Sequence, residues 1–551
     1  MKNLSMFRKL LLLLLIVFSS ATLADKPKLI LQITVDQLRG DMVSRFGQRF
    51  GAGGFRYLVE NGTVYRDAWY SHANTMTAVG HATLATGGNT PQHGMAANDW
   101  YDRDLKRRVN AVEDPQSPII GGKPGDPSGR SPRNLMSSTF SDELVLASGG
   151  RSRAWGVSTK DRGAILTAGH QGKAYWYSRA TGRYVTSTWY HDRYPEWVVA
   201  WNERKLADSY AGATWDLVGE RRDYVFAEQD DRPYELPRGE LGRTFPHRMA
   251  DDKGGSYYSD LRYTPWADEL ILSFTEALIA AEEVGQRGPT DYLSVSFSGT
   301  DHVGHAFGPN SLEAEDHLLR LDRLLARLLA TVDAAVGLDN TLIVLASDHG
   351  VQAAPEALAE HGFEAGRLGS DDFVAPMNAA LSEYFQTDEK LVAAFQKPGL
   401  YLDHDALQRA GLPADLVAAR LAREIVQVEG FGQAFTRHQL LHGPLPDDAL
   451  VRAVRAGFYP ARSGDVYVVP DPSWYFGHSP DGDTATHGTP WAADRHVPLI
   501  FVRPGVEARE INRRVAPRDV APTLSAVMGI LPPSASVGRP LVEVLGEKQG
   551  Q

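Results

Sequence analysis

The chain contains no cysteine among its 551 residues. That excludes disulfide staples, a thiol nucleophile, cysteine-held metals and a lipid-modified cysteine anchor. Positive charge is also in short supply. There are 57 Lys and Arg against 68 Asp and Glu, a net −11 at pH 7, and no long basic run. Nucleic acid is therefore excluded as the expected partner. Beyond the N-terminal segment there is no apolar run of membrane length, no internal repeat, no low-complexity stretch and no clean linker. The rest of the composition, 43% hydrophobic and 23% charged, is that of a folded protein large enough for one elaborated α/β domain.

The one long apolar run belongs to a leader pattern. Lys2, Arg8 and Lys9 precede the apolar stretch 10–18, and small or polar residues lead to Ala24. This reads as a secretory signal peptide over 1–24, cleaved after Ala24. It is too short to span a bilayer, which needs about 20 residues. The expected product is a periplasmic or secreted protein without stable membrane association, and a monomer.

In the remainder, apolar β-branched segments end abruptly at charged residues. Residues 29–35 run into Asp36, 154–158 into Lys160-Asp161-Arg162, 292–297 into Asp301, and 341–346 into Asp348-His349. Continuous apolar strands are those buried on both faces of a parallel sheet. Residues 497–502 are a further strand candidate, with Pro498 suited to a strand start or an edge. Amphipathic stretches lie between, the clearest over 312–336 with Leu318, Leu321, Leu325, Leu328 and Val332 on one stripe. The alternation predicts a mostly parallel central sheet flanked by helices on both faces, with ligands gathering at the strands' carboxyl ends. Residues 25–551 read as a single catalytic domain with loop-rich insertions around 98–133, 171–265 and 403–462 lying over the active site.

The stretch 71–94, SHANTMTAVGHATLATGGNTPQHG, carries the sharpest signal. A small-residue helix is expected from Thr77 to the Gly87-Gly88 stop. A threonine there is ordinarily a cap. At a helix N-terminus it is equally placed to attack a bound anion. A set of oxygen and nitrogen donors tips the reading toward chemistry: Asp36, Asp301 and His305 four residues apart, the adjacent Asp348 and His349, which could bind one ion or serve two, and His487. Such donors suit Zn²⁺, or Mn²⁺ and Fe²⁺ where oxygen dominates. Each fragment alone is weak, since a DHG after a strand or a DxxxH in a helix is common. Their joint occurrence at strand ends is not.

The motifs VDQLRGD, TMTAVGHATLATG, AANDWYD, STKDRGA, SGTDHVGH, ASDHG and THGTPW, in this order, identify the chain as similar to the alkaline phosphatase superfamily. It most resembles the phosphate-irrepressible (PafA-type) alkaline phosphatases, which use a threonine nucleophile. The resemblance implies Thr77 as nucleophile, with Thr75 the neighbouring alternative that the spacing disfavours. It implies two zinc ions, one held by Asp301, His305 and His487, the other by Asp36, Asp348 and His349 with the Thr77 oxygen. Asn98, Lys160 and Arg162 would contact the phosphoryl group. The activity expected is hydrolysis of small phosphate monoesters through a phosphothreonine, with broad substrate range and a phosphate-scavenging role. A phosphodiesterase or nucleotide pyrophosphatase of the same superfamily, and a metal-stabilised non-catalytic binding protein, are the alternatives. A sulfatase is disfavoured because its nucleophile is made from Cys or Ser. His81 is expected beneath the nucleophile as packing or support, and His302 as a neighbour rather than a ligand.

Overall fold

In the computed structural model, β1 (Leu29–Val35) forms the middle of a nine-stranded sheet. The structure describes residues 26–122, 125, 128–369, 371–477 and 482–546; the leader segment 1–24 lies outside them. The sheet also contains β2 (Thr63–Tyr65), β3 (Ala154–Ser158), β4 (Lys173–Tyr177), β5 (Tyr184–Val185), β6 (Asp291–Phe297), β7 (Thr341–Ala346), β8 (Leu499–Val502) and β9 (Arg509–Ile511). Their spatial order is β9-β2-β8-β7-β1-β6-β3-β4-β5. Strands β7, β1, β6, β3 and β4 are mutually parallel, whereas β8 runs against both β7 and β2. Pro498 immediately precedes β8, where a missing N–H costs no ladder bond.

The apolar runs are continuous because both faces are covered. Leu29, Leu31, Ile33 and Val35 pack with the helices Trp266–Ala281 and Leu312–Ala335. Ile30 packs on the opposite face, with the helices Phe140–Ala147 and Val520–Met528. The stripe Leu318, Leu321, Leu325, Leu328 and Val332 is almost completely buried, each side chain contributing roughly 1.5–3 kcal/mol over exposure. Ser311 caps that helix by accepting from the Ala314 N–H.

The insertions differ from their expected outlines. Within 171–265, Lys173–Tyr177 is sheet strand β4, and Tyr184 stacks on Phe274 with centroids 4.2 Å apart. Part of the remainder packs on the helix Leu312–Ala335, with Trp215 Nε1 donating to Asp316 at 2.7 Å, and part reaches the strand ends, where Arg238 donates to Asp483 at 2.9 Å. The strand escapes the periodicity argument because KAYWY is short and aromatic on both faces. The third insertion is the middle of a larger lobe. Strands Val392–Gln396, Gly399–Leu402, Phe431–Thr436 and Val466–Pro470 form a separate antiparallel sheet. One face packs with the helix Ala414–Ile425 around Leu421, Val417 and Phe431. The other face packs Phe435, Val454 and Tyr467 against Ala73, in the loop that leads to Thr77.

Candidate active site

The helix α1 (Thr77–Thr86) is buried along its whole length. Its small residues permit this: a Cβ on Gly80 would lie 2.0 Å from the Asp348 carbonyl oxygen. The helix ends at Gly87 in the left-handed region, φ 69°, the conformation glycine adopts without penalty. Met76, at its N-cap, has no side chain that can cap it. Asn98 Oδ1 instead accepts from the Ala78 N–H at 2.8 Å, satisfying one of the helix's unpaired donors. The Thr77 hydroxyl is left 3.5 Å from His349 Nε2 and 3.4 Å from Lys160 Nζ. Thr75, the neighbouring alternative, spends its hydroxyl on the Thr489 carbonyl at 2.9 Å.

Around Thr77 the sheet's carboxyl edge delivers two donor clusters. Asp301, His305 and His487 form one, and Asp36, Asp348 and His349 the other, with ligand-type atoms within 4.8 Å of one another in each. Asp36 follows β1, Asp348 and His349 follow β7, and Asp301 and His305 share the helix Gly299–Phe307 after β6. His487 arrives from a distant loop. His349 and His487 stack with centroids 3.5 Å apart, so the clusters adjoin. All three ligand histidines are oriented alike. Nδ1–H of His349 donates to Gly350 O, that of His305 to Ala485 O, and that of His487 to Thr75 O, at 3.0, 2.8 and 2.7 Å. This fixes the tautomer and leaves Nε2 as the free lone pair in each, the arrangement of a metal-binding imidazole.

The electrostatics fit a divalent cation in each cluster. Asp36, Asp301 and Asp348 are buried together, with Lys160 Nζ 2.6 Å from Asp36 and 2.5 Å from Asp301. Asp36 Oδ1 and Asp348 Oδ2 accept no hydrogen bond from any described residue, an expensive arrangement for buried carboxylates without a cation. Burial drives the Asp36 carboxyl well above its usual range, with Asp301 and Asp348 adding to the push against Lys160. Burial pushes Asp301 and Asp348 the same way, but their neighbours win. His305 and Lys160 hold Asp301 well below the usual range, and His349 and His81 hold Asp348 low. Burial keeps His487 and His349 low and therefore neutral, with His349 reinforcing the effect on His487. Burial alone would lower Lys160, yet Asp301 and Asp36 outweigh it and hold the lysine charged.

The site opens into a cavity of about 210 Å³ whose lining includes Thr77, Asn98, Lys160 and Arg162. Its Arg162 Nε has no hydrogen-bond partner among the described residues. All ten sequence-chosen residues thus come together. His81 lies beneath them, with Nδ1 2.9 Å from Thr77 O and 3.2 Å from Asp348 Oδ2, and Nε2 2.9 Å from Ser296 Oγ. His302 faces away from both clusters and accepts from Arg262 at 3.2 Å.

Gln37 was not legible in the sequence. It adopts φ 68°, rare for a side chain with a Cβ. There its N–H donates to Asp348 Oδ1 at 3.2 Å and its amide to Asp301 Oδ1 at 2.9 Å, tying the two clusters together. Gly304 makes room, since a Cβ would lie 2.0 Å from Gln37 Oε1. Arg108 and Lys397, the latter from the lobe, also line the cavity. No local motif marks either. The one signal for Gln37 is its place directly after a strand-end carboxylate.

A model of the family described as type I phosphodiesterase / nucleotide pyrophosphatase matches residues 30–491. The chain is 32% identical to alkaline phosphatase PafA of Elizabethkingia meningoseptica, over 95% of each chain. It is 33% identical to alkaline phosphatase PhoV of Synechococcus elongatus, over 94% of this chain and 93% of the other. The crystal structure of wild-type alkaline phosphatase PafA superposes with a TM-score of 0.89, covering 95% of this chain and 99% of that one, at 32% identity. Murine ectonucleotide pyrophosphatase / phosphodiesterase 5 shares the fold at a TM-score of 0.53 and 14% identity.

Proposed function

Because the chain belongs to the type I phosphodiesterase / nucleotide pyrophosphatase family of the alkaline phosphatase superfamily, we propose that it is an exported zinc-dependent alkaline phosphatase acting on phosphate monoesters. The observation that carries this reading is the Thr77 hydroxyl at a buried helix start, 3.5 Å from His349 Nε2 in one of two adjoining donor clusters and 3.4 Å from a buried lysine.

In this reading Asp301, His305 and His487 hold one zinc, and Asp36, Asp348 and His349 with the Thr77 oxygen hold the other. When bound, the pair supplies Lewis acidity to the attacking and departing oxygens. Thr77 Oγ1 attacks phosphorus as the ester oxygen leaves, giving a phosphothreonine. Water then attacks the same phosphorus, breaks the bond to Oγ1 and releases orthophosphate. Lys160 and Arg162 neutralise the non-bridging oxygens, Arg162 through its forked guanidinium. Asn98 adds its amide while its oxygen braces the helix start. Two cations beside the phosphoryl favour a monoester dianion over a diester monoanion. Among the described residues only Met76 and Ala97 give the cavity apolar wall, so the leaving group meets little selective surface and a broad range of small monoesters is expected. The N-terminal leader pattern would place the enzyme where it can scavenge phosphate.

The deciding experiment compares p-nitrophenyl phosphate with bis-p-nitrophenyl phosphate as substrates. Wild type and Thr77→Ala are assayed with and without chelation and Zn²⁺ add-back. Strong monoester preference, restoration by zinc and collapse in the variant are expected. A diester preference would reassign the protein to the diesterase branch. An unimpaired Thr77→Ala would end the nucleophile assignment.

A further inference from the structure

Lys160 and Arg162 also line a second cavity, of about 380 Å³, whose lining includes none of the six cluster residues. Arg162 lines both cavities. The second is also lined by Arg179, Arg262, Thr159, Trp176 and Tyr177. We propose that this cavity is a second oxyanion site that takes a phosphate group, gripped by Arg179 and Arg262 from one side and Arg162 from the other.

The charge balance is the first reason. Among the described residues Arg179 has no ion pair, and Arg262 meets only neutral acceptors: Ser259 O, Ser259 Oγ and His302 Nε2. His302 can accept because its Nδ1–H already donates to Ser298 O at 2.7 Å. Of the five N–H groups of a guanidinium, these bonds engage three in Arg262. The lining carboxylate Asp161 is already bound by Arg130 at 2.7 Å and lies 3.7 Å from Arg162. Three guanidiniums facing one partly desolvated space repel one another unless an anion joins them. Burial, followed by Arg179 and Arg162, lowers the affinity of Arg262 for its proton, against the pull of Tyr263.

The orphaned polar atoms are the second reason. Thr159 Oγ1 and Arg162 Nε are buried in the wall without a hydrogen-bond partner among the described residues. A hydroxyl and planar forks around one concavity match the acceptor-rich shape of phosphate. The flat faces of Trp176 and Tyr177 close the cavity without adding a competing carboxylate.

Two sources could fill such a site: free orthophosphate, or a second phosphate on the substrate. The test starts with calorimetric titration of orthophosphate into the metal-loaded enzyme. Two binding events per chain are expected. Arg179 stands on an exposed turn, so Arg179→Ser should fold normally and weaken one event by roughly tenfold or more. Arg262→Gln should do the same, with circular dichroism reporting its fold. A single event in wild type, or two unaltered events in Arg179→Ser, overturns the proposal. Short alkanediol bisphosphates compared with their monophosphates separate the sources. A bisphosphate preference in kcat/KM that Arg179→Ser erases assigns the site to the substrate. Equal turnover of the two, with the second orthophosphate event intact, assigns it to the free ion. Because binding is read without turnover, two events in a protein that hydrolyses nothing would sink the phosphatase reading and leave this site standing.

Discussion

The carboxyl edge of the central sheet and the lobe over 366–476 solve folding in opposite ways. The edge buries Asp36, Asp301 and Asp348, the imidazoles of His81, His349 and His487, and Lys160, with carboxylate oxygens that accept nothing from any described residue. The lobe buries Leu421, Val417, Leu400, Val466 and Phe431 in an apolar core of its own. One region is assembled for charge and is incomplete as protein alone. The other is complete by hydrophobic burial and meets the site at the Gln396–Lys397 corner, through its packing on Ala73 and through Arg367, which donates to Thr484 O at 2.7 Å. The contrast teaches that stability and reactivity are drawn from different parts of the chain, so they should respond to different insults.

The sharpest break would come from Thr77→Ala. Loss of the hydroxyl should lower kcat/KM on a monoester by roughly a thousandfold or more while leaving the lobe intact. Steady-state kinetics alongside circular dichroism check both halves. Chelation should act on the same region but strike both properties. Turnover should vanish and return with Zn²⁺, and the melting temperature should fall, because cation binding stabilises the clustered carboxylates. Unchanged melting in chelator would mean the clusters stand without a cation.

Arg162→Ala sharpens the picture of which cations serve the phosphoryl group. A loss of about a hundredfold in monoester kcat/KM is expected, with a smaller loss on the diester. Equal losses would move Arg162 from discrimination to general binding. In the lobe, Leu421→Ala should cost about 2–5 kcal/mol by denaturant titration, with turnover of the folded protein retained. Loss of turnover at low denaturant would show that the lobe holds the nucleophile loop more firmly than its contact with Ala73 implies.

The smallest effect concerns carboxyls buried away from the clusters. Burial, then Glu313, pushes Glu235 up to about 10, with Asp230 adding and Arg232 opposing. Glu313 is itself raised by burial, against its bond to His247. Between about pH 4.5 and 10 the folded protein keeps a proton on Glu235 that the unfolded chain releases. This term therefore lowers stability as pH rises through that window. Glu235→Gln should flatten it, so that its melting temperature gains on wild type at pH 9 relative to pH 6. Parallel curves would remove Glu235 from the pH response.

Much of this was legible in the sequence where chemistry and periodicity coincide. Runs such as 29–35 and 341–346 announce strands because both faces are buried, and their last residues announce the site because strand ends converge. The Gly87 stop and the small residues of 77–86 announce a helix that must approach its neighbours closely. The lobe's extent was not legible, because apart from the hairpin over 392–402 the strands of its sheet pair across about 30 to 70 residues and leave little local pattern. Gln37 was hidden for a different reason. Its importance lies in a backbone angle and two bonds to other segments, neither written in its neighbours. Arg179 and Arg262 looked like members of a loop-rich insertion, since only the fold turns them toward Arg162.

One hydrogen bond, from His487 to the carbonyl of Thr75, joins positions 412 residues apart. A ribosome that has delivered the helix of Thr77, β6 and β7 has still not delivered the last donor of the Asp301 cluster. No partly made chain can hold that cluster complete, however well its sheet has formed. Competence therefore switches on near the end of synthesis rather than accumulating with length, and a nascent or truncated copy ending before residue 487 is a fold without a finished reaction centre.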